Sequence, residues 1–298
     1  MNRSLRLIAS VCALFILQAG FAVNANAEFK IGILAKRGAA KTMKKWGPTA
    51  RYLSKEVGEK CTLIPLQFTA IEPAVAAKKI DFLLANSSFF VEMEKKYNTH
   101  AIATMINSSG GKALNHFGGV VFVRNNSPIN TLADIKGKTY MCVKRSSLGG
   151  NHMAWRLLLD NGIDPEKDTT AFIEGGKHDN VVLAVKNGSI DVGTVRSDTL
   201  ERMQDEGKIK MRDFRILHQV KDDFPFVHST RLYPEWPMAA LASTDKVLAE
   251  KVATALQAMS LSDQAAKSAK IVGWTAPADY TPVADCLRAI KYGAFADE

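Results

Sequence analysis

A strand–helix alternation that runs from residue 29 to residue 106, breaks, and resumes at residue 139 constrains this chain more than any other feature of its sequence. Residues 29–34, 62–66, 81–85 and 101–106 are short and apolar and read as strands, while 42–57, 71–78 and 89–97 read as helices, the first stopped by Gly58. Short apolar strands separated by helices pack as a largely parallel sheet covered on both faces. A second series follows, with strands at 139–143, 171–174, 190–195 and 214–217 and helices at 150–161, 179–187 and 198–206. Two wholly apolar strands, 118–124 and 238–242, bracket it and are expected to be the crossings; helices at 245–259, 262–271 and 282–292 close the chain. This is the pattern of a hinged clamshell, with lobe 1 at 28–120 plus 238–298 and lobe 2 at 121–237. A ligand cleft between the lobes is the default site of that layout.

Ahead of the first strand lie Arg3 and Arg6, an apolar run over 7–23, and Ala25-Asn26-Ala27. That order is the signature of a secretory signal, so residues 1–27 are expected to be removed and the product to be exported. A membrane anchor is the competing reading, but Gln18 and Gly20 interrupt the run and no comparable apolar stretch follows. Two arginines and no acid leave with the signal, so the formal charge falls from +9 to +7. The excess suits attraction of small anions. No basic run with interleaved aromatics points to nucleic acid. Cys61, Cys142 and Cys286 remain, an odd set without metal-site spacing, compatible with one disulfide or with three isolated thiols. About 270 residues are more than one hydrophobic core usually serves, which agrees with two domains.

The stretch from Tyr140 to Trp155 is an apolar strand turning through Ser146, Ser147, Gly149 and Gly150 into a helix. The first N–H groups of a helix have no internal partner and the dipole is positive there, so the turn is a candidate anion seat. The plain alternative is that Ser147 caps the helix and the glycines serve the turn. Arg37, just after the first strand, and Arg196, after the strand at 190–195, could each fork onto an oxyanion. Arg37 could equally be a solvated loop cation, and Arg196 could pair with Asp198 or Glu201. His178 is either a donor to the anion or a helix-start residue. Trp46 and Trp236 are candidate aromatic walls, with core packing as the other reading of Trp46, and Arg231 and Tyr233 either reach the ligand or brace the hinge. There is no Gly-x-Ser-x-Gly elbow, His-Glu-x-x-His helix or phosphate-binding P-loop, and the histidines show no metal spacing. The expectation is a binder rather than an enzyme, with no cofactor and no metal.

Several segments resemble the phosphonate-binding periplasmic family: Ile31-Gly32-Ile33-Leu34, Asp81 to Asn86, Thr131 to Lys138, the Ser146-to-Gly150 turn, His178-Asp179 and Gly188 to Gly193. The resemblance implies an α/β type II periplasmic binding protein, two lobes with mainly parallel sheets joined by two hinge strands. Its members serve phosphate, phosphite or phosphonate transporters. The segments Leu34 to Gly38, Gly193 to Glu201 and Ser229 to Pro237 are more similar to the periplasmic sensor domains of tetrathionate-type histidine kinases. Matched residue by residue, the family's anion turn falls on Ser146, Ser147, Gly149 and Gly150, with Leu148 in place of a small residue. Its cleft residues fall on Asn86, Ser87, Ser88 and Phe89, without the family's tyrosine hydroxyl, and its histidine on His178. Its amine-binding acid lies in the segment that here reads Thr194-Val195-Arg196. What the resemblance implies is capture of a small oxyanion, phosphonate- or phosphate-like or a sulfur oxyanion, for the permease of an ABC transporter. The alternative is an accessory that signals an oxyanion such as tetrathionate to a membrane histidine kinase, and the chain's end at Glu298 is read as that of a stand-alone protein.

Overall fold

The computed structural model describes residues 28–298 other than Arg37, so the expected signal and the expected arginine arm lie outside the described residues. β1 (Glu28–Leu34), α1 (Ala39–Val57), β2 (Lys60–Leu66), α2 (Ile71–Ala76), β3 (Phe82–Leu84), α3 (Ser87–Tyr97), β4 (His100–Ser109) and β5 (Lys112–Leu114) build the first lobe. β6 (His116–Phe117) leads to β7 (Gly119–Arg124), β8 (Thr139–Cys142), α4 (Met153–Asp160), α5 (Pro165–Asp168), β9 (Ala171–Glu174), α6 (His178–Lys186), β10 (Val192–Arg196), α7 (Thr199–Asp205) and β11 (Phe214–Leu217). The chain returns through β12 (Tyr233–Pro234) to β13 (Pro237–Ala240), α8 (Lys246–Ala258), α9 (Gln264–Ala269), β14 (Ile271–Thr275) and α10 (Thr281–Ala289).

The strands form two sheets of the same design. The first runs β14-β4-β13-β3-β1-β2, with β5 added to β4; the second runs β11-β7-β10-β8-β9. In each, a parallel ladder of three strands (β2-β1-β3, β9-β8-β10) is extended by an antiparallel strand, β13 or β7, that has just arrived from the other lobe, and then by one more antiparallel neighbour. β1 thus corresponds to β8, β2 to β9, β3 to β10 and β13 to β7. Strands buried on both faces carry side chains such as Phe29, Ile31 and Ile33, and α1 lays Trp46, Leu53 and Val57 on that surface. Each such side chain contributes about 1.5–3 kcal/mol on burial.

The expected crossings differ from those observed. The apolar strand around Val120 lies wholly in the second sheet and the one around Met238 wholly in the first. The chain passes between lobes instead at β6 and β12, which pair antiparallel, Phe117 with Tyr233 and His116 with Pro234. The structure also places a strand, β14, directly after the expected last-but-one helix: Lys270 turns left-handed at φ 54° and caps α9, and Ile271–Thr275 pairs with β4.

Behind the ribbon, a cluster including Phe90, Leu148, Met153, Trp155, Tyr233, Val283 and Leu287 belongs to both lobes. Hydrogen bonds cross there: Ser88 Oγ to His152 Nδ1 at 2.9 Å, Arg156 Nη1 to the Asp285 carbonyl at 3.1 Å, and Cys286 Sγ to the His152 carbonyl at 3.5 Å. Cys61, Cys142 and Cys286, the cysteines among the described residues, are unpaired and buried. Burial pushes each thiol up to about 12.

Candidate functional site

Ligands of open α/β sheets bind beyond the carboxyl ends of the strands. Here the carboxyl ends of both parallel ladders face one cleft of about 580 Å³. Lys36 follows β1, Phe68 follows β2 and Asn86 follows β3; Lys144 follows β8, Lys177 and His178 follow β9, and Arg196 ends β10. Trp236, just ahead of β13, and Phe117, in β6 just ahead of β7, also line it, as do Lys41, Asp179, Arg202, Glu206 and Lys208. Equivalent positions of the two sheets therefore meet across the cleft.

On the second side, Ser147 opens a single π-helical turn, Leu148–His152, that runs into α4. Its Oγ accepts the Gly150 N–H at 3.2 Å, and Ser147, Leu148 and Gly149 line the cleft. The cap and the cleft-facing turn are thus the same residues. A Cβ on Gly149 would lie 2.7 Å from the Phe117 ring and 3.2 Å from Arg196 Cβ, and one on Gly150 2.5 Å from Val143. Both glycines are required by close packing, with no unusual backbone angle. On the first side, Asn86 caps α3 in the same manner, its Oδ1 accepting from Ser88 N at 3.0 Å and Phe89 N at 3.3 Å.

Arg196 lies across the floor. Its guanidinium is stacked 4.0 Å above the Phe117 ring and is paired two-toothed with Glu235: Nη2 on Oε1, and Nη1 on Oε2 at 3.2 Å. Burial opposes its charge, and the carboxylates of Glu235 and Asp198 more than offset that, holding its pKa above the ordinary value. Glu235 is fully buried. Its N–H donates to the Asn115 carbonyl at 2.8 Å, and its carbonyl accepts from Tyr280 OH at 2.8 Å and Ser87 Oγ at 3.2 Å. His178 Nδ1 accepts the Arg196 N–H at 3.3 Å, which leaves the proton of the neutral ring on Nε2.

Of the residues expected from sequence, Asn86, Ser147, Gly149, His178, Arg196 and Trp236 line the cleft. Others are placed elsewhere. Trp46 packs in the first core, 6.4 Å from Trp274. Ser87 binds the Pro234 carbonyl at 2.9 Å, Ser88 binds His152, and Gly150 packs on Val143. Phe89 faces a separate depression beside Phe68, Ser146 is half-buried next to the turn, Tyr233 is buried at the ribbon and Arg231 is exposed. The sequence reading missed Lys36, Lys144, Phe117 and Glu235. Lys36 sits 4.7 Å above the Trp236 ring and Lys144 5.4 Å above that of Phe68. A lysine directly after each ladder's first strand was the available signal for the first two.

A family model described as the periplasmic substrate-binding protein of a phosphonate ABC transporter matches residues 31–284. The tetrathionate sensor histidine kinase of Salmonella typhimurium is 32% identical over 265 residues, which is 88% of this chain and 44% of that protein. The chain thus spans less than half the length of that curated relative. Among solved structures, a Prochlorococcus marinus protein in complex with methylphosphonate superposes with a TM-score of 0.70 at 15% identity, covering 88% of this chain and 98% of the other. A Xanthomonas citri protein bound to chloride gives 0.68 at 21% identity, covering 88% and 95%.

Proposed function

Because this chain belongs to the phosphonate-binding family of periplasmic substrate-binding proteins of ABC transporters, we propose that it captures a small oxyanion between its lobes and delivers it to a membrane permease. The observation that carries this reading is the lining of one cleft by lysines from both sides, Lys36 and Lys41 against Lys144 and Lys177, around a capped helix start. The Ser147 turn supplies backbone N–H groups and the positive end of α4. Asn86, His178 Nε2–H and Arg196 supply further donors, and Phe117, Phe68 and Trp236 exclude water. An anion touched by both lobes is bound fully only when they approach, so it shifts the population toward the closed form that a permease reads. Residues 1–27 direct the chain to the periplasm in this account.

A second reading has its own support. Identity of 32% with part of a sensor kinase, over 88% of this chain, favours an accessory that reports an oxyanion such as tetrathionate to a membrane histidine kinase. Closure serves either partner.

Thermal-shift measurement of the chain without residues 1–27 tests the shared core of both readings. The panel is phosphate, phosphite, methylphosphonate, sulfate, thiosulfate and tetrathionate. An anion at a hundred times its Kd adds about 2.7 kcal/mol to stability. No shift with any of them would overturn oxyanion capture. Uptake into vesicles bearing the permease, against a transcriptional response requiring the kinase, separates transport from signalling.

A further inference from the structure

The correspondence of the two sheets extends to the side chains they bring to the cleft. Lys36 after β1 matches Lys144 after β8, and each is stacked on an aromatic ring of the first lobe or the return segment. Trp236 ahead of β13 matches Phe117 ahead of β7. The third-strand positions differ in charge, since Asn86 after β3 is a neutral donor whereas its counterpart at the end of β10 is Arg196, and the second-strand positions differ too, Phe68 after β2 against Lys177 and His178 after β9. Glu235 offsets the first of these differences. Its carboxylate meets the guanidinium two-toothed and is itself fully buried, so the pair presents N–H groups without a net charge.

We propose that Glu235 is a specificity-determining residue: by countering Arg196 it keeps net positive charge off the floor of the cleft between Lys36 and Lys144, so that the site selects an elongated anion with two charged ends over a compact dianion. The idea rests on oxyanion capture as proposed above. An elongated anion sets one charge toward Lys36 and one toward Lys144. A compact dianion seated at the Ser147 turn places both charges beside Arg196, where cancellation by Glu235 weakens the attraction. Glu235 occupies no part of the cleft surface, so it acts through the charge and orientation of Arg196, whose side chain is stacked on Phe117.

The test compares Kd values by calorimetry for tetrathionate, an elongated dianion, and for sulfate and methylphosphonate, compact ones. Glu235→Gln removes one negative charge from beside Arg196 and leaves Asp198 at 3.9 Å, and sulfate and methylphosphonate gain on tetrathionate by about tenfold or more, the scale of one added unit charge acting near a protein surface. A folded Glu235→Gln protein whose Kd ratios stay within about threefold of wild type overturns the proposal, because a purely structural residue moves stability and leaves the ratio. Glu235→Asp keeps the negative charge beside Arg196 and with it the wild-type ratio, and a shift of its ratio by more than threefold overturns the proposal independently. Wild-type protein that binds none of the three anions fails the function proposed above and this inference with it; wild-type protein that binds them with the compact ions ahead fails this inference alone.

Discussion

Ser88 of the first lobe and His152 of the second meet in a buried hydrogen bond of 2.9 Å immediately behind the turn that faces the cleft. The imidazole is fully buried, its centroid 4.2 Å from that of the Tyr292 ring and tilted 48° to it. Burial drives its pKa from 6.5 down to about 3, so it is neutral in the fold. A base whose folded pKa is lowered contributes stability that is present above the unfolded value and is lost as pH falls through 6.5 toward 3. Wild-type protein is therefore expected to lose stability relative to His152→Phe on acidification, by about 3–5 kcal/mol once the full window is crossed. Thermal melts of both proteins from pH 7 to pH 4 read this directly, and a constant difference between them contradicts it.

Glu92 has the opposite sign. Burial pushes its carboxyl up to about 7, with partial relief from the Ala294 N–H at 3.4 Å. Its contribution is complete below 4.5, the unfolded value, and is lost as pH rises through 7. Glu92→Gln, which keeps the acceptor, is expected to be more stable than wild type at pH 8 by about 2–3 kcal/mol and indistinguishable at pH 4. The measurement is urea unfolding at the two pH values.

Gly149→Ala is expected to reduce anion affinity more than stability. The added methyl at 2.7 Å from the Phe117 ring moves the ring on which Arg196 is stacked. Gly150→Ala drives a methyl against Val143 in the core and is expected to cost about 1–3 kcal/mol of stability. Calorimetry and denaturant unfolding on the pair separate the two effects; equal losses of both quantities in both variants refute the assignment.

Of the four tryptophans, Trp236 is the one at the cleft. Ligand is expected to change the emission of wild type and of Trp46→Phe and to leave that of Trp236→Phe nearly unchanged. Trp46→Ala, by contrast, is expected to cost about 3–5 kcal/mol of stability with affinity retained in the folded protein.

The alternation of apolar strands and helices made the two α/β units readable, because a strand buried on both faces must be continuously apolar. β14 was not readable: Ile271–Thr275 adjoins an alanine-rich helix whose pattern runs into it. The crossing ribbon was hidden for a similar reason, since two-residue strands have no period. At the site, the Ser/Gly turn announced itself through residue types that have few other uses. Glu235 did not. Helical spacing offers Arg196 its near neighbours Asp198, which it does approach at 3.9 Å, and Glu201, whereas its two-toothed partner lies 39 positions away. Trp46 shows the reverse difficulty, because an aromatic on an amphipathic helix looks the same whether it faces a core or a ligand.

The three buried thiols have a chemical consequence for a protein of this kind. A sulfur oxyanion containing an S–S bond is itself open to attack by a thiolate, which cleaves that bond, joins one fragment to the protein as a mixed disulfide and releases the other as an anion. Cys61, Cys142 and Cys286 are each held near pKa 12 by burial and none lines the cleft. An S–S-containing anion held in the cleft as proposed would therefore meet no reactive thiol among the described residues.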